Sequence, residues 1–96
     1  MKTFKEIQDE HVSWLKAKQR FKNKTVLEGL ALVASEVGEA VNECRMEKPS
    51  EAFGSELADI VLRVMGVAAE NDVDLEAEIL AKIEVNKTRG TRGRVI

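Results

Sequence analysis

The fold turns on residues 51–71, Glu51-Ala52-Phe53-Gly54-Ser55-Glu56-Leu57-Ala58-Asp59-Ile60-Val61-Leu62-Arg63-Val64-Met65-Gly66-Val67-Ala68-Ala69-Glu70-Asn71. At helical spacing Phe53, Leu57, Ile60, Val61, Val64, Val67 and Ala68 form one apolar face, and Ala58, Leu62, Met65 and Ala69 form a second. What remains polar is a narrow stripe of Glu56, Asp59, Arg63 and Glu70. A helix that is apolar on nearly all sides is buried on nearly all sides. A chain of 96 residues supplies one small domain and too little material to cover such a helix. The pattern therefore predicts that a second subunit covers part of it.

Three further helices flank this one. Thr3-Phe4-Lys5-Glu6 has the capping-box pattern and opens a helix that runs to about Gln19, with Phe4, Ile7, His11, Trp14 and Leu15 inward. The basic stretch 18–24 is a connector. Thr25-Val26-Leu27-Glu28 repeats the capping box and opens a second helix that ends near Glu47. Its expected inner stripe is Val26, Leu30, Val33, Val37, Val41 and Cys44, with Cys44 a small buried hydrophobe. Pro49 disfavours a helical residue before it, so residues 48–50 read as a turn. Ser50 is the expected cap of the third helix. Asp74 or Asp72 caps the fourth, whose inner residues are Leu75, Ile79, Leu80, Ile83 and Val85 and which Gly90 ends. The expectation is an all-α chain of four helices forming a single domain over residues 1–96, with a basic tail at about 90–96. Its centre is an antiparallel hairpin of the second and third helices, completed into a bundle by self-association.

Composition removes several function classes. The chain is 44% hydrophobic and 33% charged, a globular mixture and not a disordered one. No apolar run approaches the roughly 18 residues of a membrane span, so no membrane partner is expected. Acidic residues arrive before any apolar stretch at the N-terminus, unlike a signal peptide, and a cytoplasmic location is expected. One cysteine and one histidine exclude an internal disulfide, a Cys-rich zinc site and a multi-His metal site. A metal here would be held by oxygen, which points to magnesium, with manganese as a substitute, or to calcium. The net charge of −2 is unevenly spread. Residues 1–24 carry seven Lys/Arg against three acids, residues 82–96 five against one, and residues 25–81 three against thirteen. An acidic centre between basic ends suits a cation site that meets an anionic substrate. A nucleic-acid binder would be basic overall, so nucleic acid is not an expected partner.

Two short patterns carry the chemistry, Glu36-Val37-Gly38-Glu39 and Glu56-Leu57-Ala58-Asp59. Residues three apart share a helix face, so each pattern sets two carboxylates side by side. Counted from the turn near residues 48 and 49, the two pairs lie at heights differing by about 3 Å in an antiparallel hairpin. Four carboxylates in one groove repel unless a cation neutralises them or their pKa values rise. The alternative is a solvated acidic face that Glu43 and Glu47 merely continue.

ExxE followed about sixteen residues later by ExxD on consecutive helices resembles the MazG-like family of all-α nucleoside triphosphate pyrophosphohydrolases. Lys82, Asn86 and Arg89 resemble that family's K-x-x-x-N-x-x-R pattern, and the segment with His11, Trp14 and Phe21 resembles the one that precedes its acidic helix. The resemblance spans residues 4–92. It implies Mg²⁺-dependent hydrolysis of a nucleoside triphosphate between the α- and β-phosphates, giving the monophosphate and pyrophosphate, in the service of nucleotide house-cleaning. It implies that Glu36, Glu39, Glu56 and Asp59 bind metal, one of them also orienting or deprotonating the attacking water, and that Lys82, Asn86 and Arg89 lie near the phosphates. His11, Trp14 and Phe21 are candidates for stacking on the base, or else are core residues. The resemblance allows a tetramer built as a dimer of dimers, with a dimer as the minimum. Phosphoribosyl-ATP pyrophosphatases and dimeric dUTPases are related architectures. A non-catalytic helical module that binds a partner through its apolar third helix is the alternative outside the enzyme class. A di-iron bundle needs Glu-x-x-His pairs, and Gln8 stands three residues before His11.

Overall fold

The computed structural model describes residues 1–89. The expected stop at Gly90 and the basic tail with Arg92 and Arg94 lie outside them. Four α-helices and no strand occur among the described residues: α1 Phe4–Ala17, α2 Val26–Asn42, α3 Phe53–Glu70 and α4 Leu75–Arg89. None is long and apolar enough to cross a membrane.

Both capping boxes form. The Thr3 hydroxyl accepts from the Glu6 N–H and the Glu6 carboxylate accepts from the Thr3 N–H, with the same exchange between Thr25 and Glu28. These bonds favour the ionised acids and hold the Glu6 and Glu28 carboxyls below the ordinary carboxylate value.

The helix ends differ from expectation for local reasons. Gln19 takes the left-handed conformation at φ 57°, and the Gln19 and Arg20 N–H groups donate back to the Lys16 and Leu15 carbonyls. That is a Schellman stop, here with Gln where Gly is usual, and it closes α1 at Ala17. The same motif ends α3. Asp72 has φ 56°, and the Asp72 and Val73 N–H groups donate to the Ala69 and Ala68 carbonyls. Asp72 is therefore committed to α3, and Asp74 caps α4 by accepting from the Ala77 N–H at 3.1 Å. Helix α2 stops at Asn42, short of Glu47, because the chain turns back and the Ser50 N–H donates to the Glu43 carbonyl at 2.9 Å. Ser50 does not cap α3. Its hydroxyl bonds the Glu43 carboxylate and accepts from the Ala52 N–H, and Ala52 holds the cap position without a side-chain bond. Cys44 lies past the end of α2 and is exposed, not buried.

Helix α3 is the hub. It packs chiefly on α2, next on α1, and only lightly on α4. Small residues set the closest approaches. A Cβ on Gly29 would lie 3.2 Å from Val67 Cγ2, and one on Gly66 would lie 3.2 Å from Leu15 Cδ1. The buried apolar residues are Leu15, Ala40, Met65 and Ala68. Gln8, a polar residue among them, donates from Nε2 to the Met65 carbonyl at 3.1 Å. Most of the expected inner stripe of α2 is turned outward, with Val33 half-buried. Val26, Leu30, Val37 and Val41 are exposed, as are Leu57 and Val61 on α3 and Ile79, Leu80, Ile83 and Val85 on α4. Ile7 and Trp14 of α1, also expected inward, are exposed too.

Gly66 sets how near α1 stands to α3. Gly66→Val forces a branched side chain against Leu15 and should cost about 1–3 kcal/mol of stability, read as a lower urea midpoint with the helical content retained.

Candidate functional site

Carboxylate oxygens of Glu36, Glu56 and Asp59 all lie within 4.8 Å of one another. Glu56 and Asp59 come from one face of α3 and Glu36 from the opposing face of α2. Glu36 and Glu56 are half-buried and Asp59 is exposed. Glu39, the fourth expected member, is exposed and outside this cluster, although its charge still bears on Glu56. Helical rotation does not account for this, since Glu56 and Asp59 stand the same three residues apart and both belong to the cluster.

Partial burial pushes the Glu56 carboxyl above the ordinary carboxylate value, and the charges of Asp59, Glu39, Glu36 and Glu43 push it further in that order. Among the described residues one cation pairs with the group. Arg63 donates from Nε to Glu36 Oε1 at 3.3 Å. Arg63 lies one turn beyond Asp59, but its ion pair reaches across to α2 and does not run along its own helix.

The trio lies beside a cleft of about 520 Å³ whose lining includes Glu36 and Asp59 and extends along α3 through Arg63 and Gly66 to Glu70. From Asp59 to Glu70 the helix rises about 16 Å. His11 and Trp14 of α1 line the wall, their rings nearly parallel at 18° with centroids 5.9 Å apart. Burial, and then the Arg63 charge, hold the His11 imidazole below its ordinary value, so it is neutral at pH 7. The Arg20 guanidinium stands 5.7 Å from the centre of the Trp14 ring.

The far end of the cleft holds Asn23, Lys24 and Glu70. Glu70 Oε2 accepts from the Lys22 N–H and from Lys24 Nζ, both at 2.8 Å. These two bonds tie the connector to the end of α3 and hold Lys22 in its left-handed conformation, φ 58°. Arg63 and Glu70 belong to the polar stripe of α3, but their pairing with Glu36 and Lys24 has no signature in that stripe. Both pairings span more than 25 residues, and no local pattern encodes them.

Other expected site residues lie elsewhere. Phe21 sits in a separate depression beside Lys16 and Lys22, whose ammonium groups stand 5.1 and 5.8 Å from its ring centre. Lys82, Asn86 and Arg89 are exposed along α4, with Arg89 donating to Asn86 Oδ1 at 3.2 Å, and they do not line the cleft. Comparison of the chain with protein-family models, curated proteins and solved structures finds no match.

The cluster stores like-charge repulsion. With its folded pKa above the ordinary 4.5, Glu56 holds its proton more tightly in the folded chain than in the unfolded one. Its contribution to stability is thus present below that value and lost as pH rises through the folded pKa. Glu56→Gln should raise the melting temperature at pH 7 in EDTA and flatten this loss. Mg²⁺ should stabilise the wild type and leave the variant nearly unmoved in the same thermal scans.

Proposed function

We propose that the chain is a Mg²⁺-dependent nucleoside triphosphate pyrophosphohydrolase. The observation that carries the reading is the convergence of three carboxylates at the acidic end of a cleft walled by a stacked imidazole and indole. An all-oxygen donor set of like charge, with one carboxyl already pushed up in pKa, fits a small hard divalent cation. Mn²⁺ is the natural substitute. The resemblance of ExxE, ExxD and the Lys82/Asn86/Arg89 pattern to the MazG-like family supports the reaction class.

In this reading Glu36, Glu56 and Asp59 would hold the cation, and Glu39 adds negative potential beside them. When bound, the cation neutralises phosphate oxygens and acidifies a bound water. The nucleotide lies along α3 with its base against Trp14 and His11. A carboxylate of the cluster takes a proton from the attacking water. The water oxygen bonds to the α-phosphorus, and the bond from that phosphorus to the α–β bridging oxygen breaks. Pyrophosphate leaves with the bridging oxygen and its electron pair, and the monophosphate remains. Neutral His11 stacks without adding charge. Phe21, in its separate depression, packs the connector and does not touch the base.

The functional unit is proposed to be an antiparallel α2–α3 hairpin paired with a second copy, a dimer at least and a dimer of dimers at most. Support for the hairpin is the pairing of Gly29 with Val67 and of Glu36 with Arg63. Support for self-association is exposed apolar surface on α2, α3 and α4. The chain has 7557 Å² of accessible surface, against about 5,500 Å² for a compact monomer of its mass. Residues 90–96 could add at most about 1,100 Å² of this when fully solvated. Self-association is also how Lys82, Asn86 and Arg89, which the resemblance assigns to the phosphates, would meet a cleft that they do not line in their own chain. A sedimentation mass of 10.7 kDa would remove the oligomer from the account.

The test is pyrophosphate release from a panel of deoxynucleoside and ribonucleoside triphosphates with Mg²⁺. Wild-type protein should turn over at least one nucleotide, and Asp59→Asn should lose at least about a hundredfold in rate. Equal activity in the two proteins would take the cluster out of the reaction. No release from any nucleotide would leave a phosphoribosyl-nucleotide substrate or the non-catalytic partner-binding module.

A further inference from the structure

Arg63 is the cation next to the carboxylate trio, and the way it is held is unusual. It touches Glu36 through Nε alone, at 3.3 Å. A guanidinium carries five N–H donors, and its terminal nitrogens donate to nothing among the described residues. The side chain is 39% exposed, against 19% for Glu36. It lines the same cleft as Asp59, Trp14 and His11. Among the described residues nothing else keeps it on Glu36: there is no bidentate fork and no supporting hydrogen bond, and the side chain is only half-buried. A planar guanidinium with its terminal N–H groups unengaged is matched in shape and charge to a phosphate.

We propose that Arg63 is an exchangeable counter-ion and phosphate clamp. In the empty cleft it neutralises Glu36; when a divalent cation takes that carboxylate, it passes to a phosphate oxygen of the nucleotide. The inference rests on the reading of Glu36, Glu56 and Asp59 as a cation site and adds to it a coupling between two ligands. Arg63 opposes the cation when the cation comes alone, because both are positive and compete for one carboxylate. It assists the triphosphate once the cation is in place. Cation and nucleotide are thus linked through one side chain that has two alternative partners. The exchange conserves charge, since each of the two cationic partners ends on an anionic one. It also limits futile cation binding, because the site binds its metal well only when phosphate is present to receive the arginine.

This predicts opposite effects of one substitution on two binding steps, which a purely structural role does not produce. Arg63→Met keeps the length and apolar stem and removes the charge. Mn²⁺ alone, titrated by its paramagnetic resonance signal, should bind Arg63→Met more tightly than wild type, by roughly five- to tenfold for loss of one partly screened charge. With saturating Mg²⁺, the α,β-imido analogues of the deoxynucleoside triphosphates should bind the variant more weakly, by tenfold or more. Quenching of Trp14, the chain's single tryptophan, reports that binding from within the cleft. Arg63→Lys should restore Mn²⁺ affinity toward wild type and recover only part of the nucleotide affinity, because an ammonium lacks the fork. Arg63→Gln, checked for folding by circular dichroism, stands in if the Met variant does not fold. Weakening of both ligands, or no change in either, overturns the proposal while leaving the cation site standing. Absence of Mn²⁺ binding by both the wild type and Arg63→Met overturns the cation site, and the proposal with it.

Discussion

The close packing of α2 on α3 is the constraint from which the rest follows. Gly29 lets Val67 approach within van der Waals contact, and Ala40 is buried farther along the same helix. With the backbones this near, Glu36 has nowhere to go but into the space that Glu56 and Asp59 share. A surface cluster of acids normally splays into water. Here two of the three are half-buried, and burial first and the neighbouring carboxylates second raise the pKa of Glu56. A protein carries such a defect at a cost in stability, and sites of this kind are where function concentrates.

The remainder of the cleft is arranged around that charge. Gly66 lets α1 close on α3, which brings His11 and Trp14 within reach of the acidic end. The Schellman stop at Gln19 and the bonds from Lys22 and Lys24 to Glu70 fix the connector, so Arg20, Asn23 and Lys24 fall on the cleft. Positive charge therefore meets the carboxylates at Arg63 and again along the connector. An anionic, elongated ligand with a flat ring at one end suits that layout better than a short one.

Much of this was legible in the sequence because it is local. Capping boxes at Thr3/Glu6 and Thr25/Glu28 need only four residues, and the matched heights of Glu36 and the Glu56/Asp59 pair follow from the rise per residue. Local patterns failed where two physical alternatives share one signature. Hydrophobic periodicity points Val26, Leu30, Val37 and Val41 inward, yet they are exposed and α2 meets α3 at Gly29 and Glu36. Periodicity marks an apolar stripe but not whether its cover is the same chain or another, and small residues that permit close approach carry little hydrophobic signal. Spacing groups Glu39 with Glu36 as it groups Glu56 with Asp59, yet only the second pair enters the cluster whole, so i,i+3 spacing does not decide membership. Ser50 reads as a cap but bonds Glu43 instead, while of the two caps offered for α4 Asp74 takes the position and Asp72 belongs to the end of α3. Gln8, buried and bonded to the Met65 carbonyl, gave no sequence signal at all.

The central claim is that Glu36, Glu56 and Asp59 together form a divalent-cation site. Its most direct test is anomalous diffraction from crystals of the protein soaked in Mn²⁺. The account predicts a single strong peak between the three carboxylates, at about 2.0–2.3 Å from their oxygens, that vanishes in crystals of Asp59→Asn. Saturating Mn²⁺ with no peak among these residues, or with peaks only at other surface acids, would contradict it.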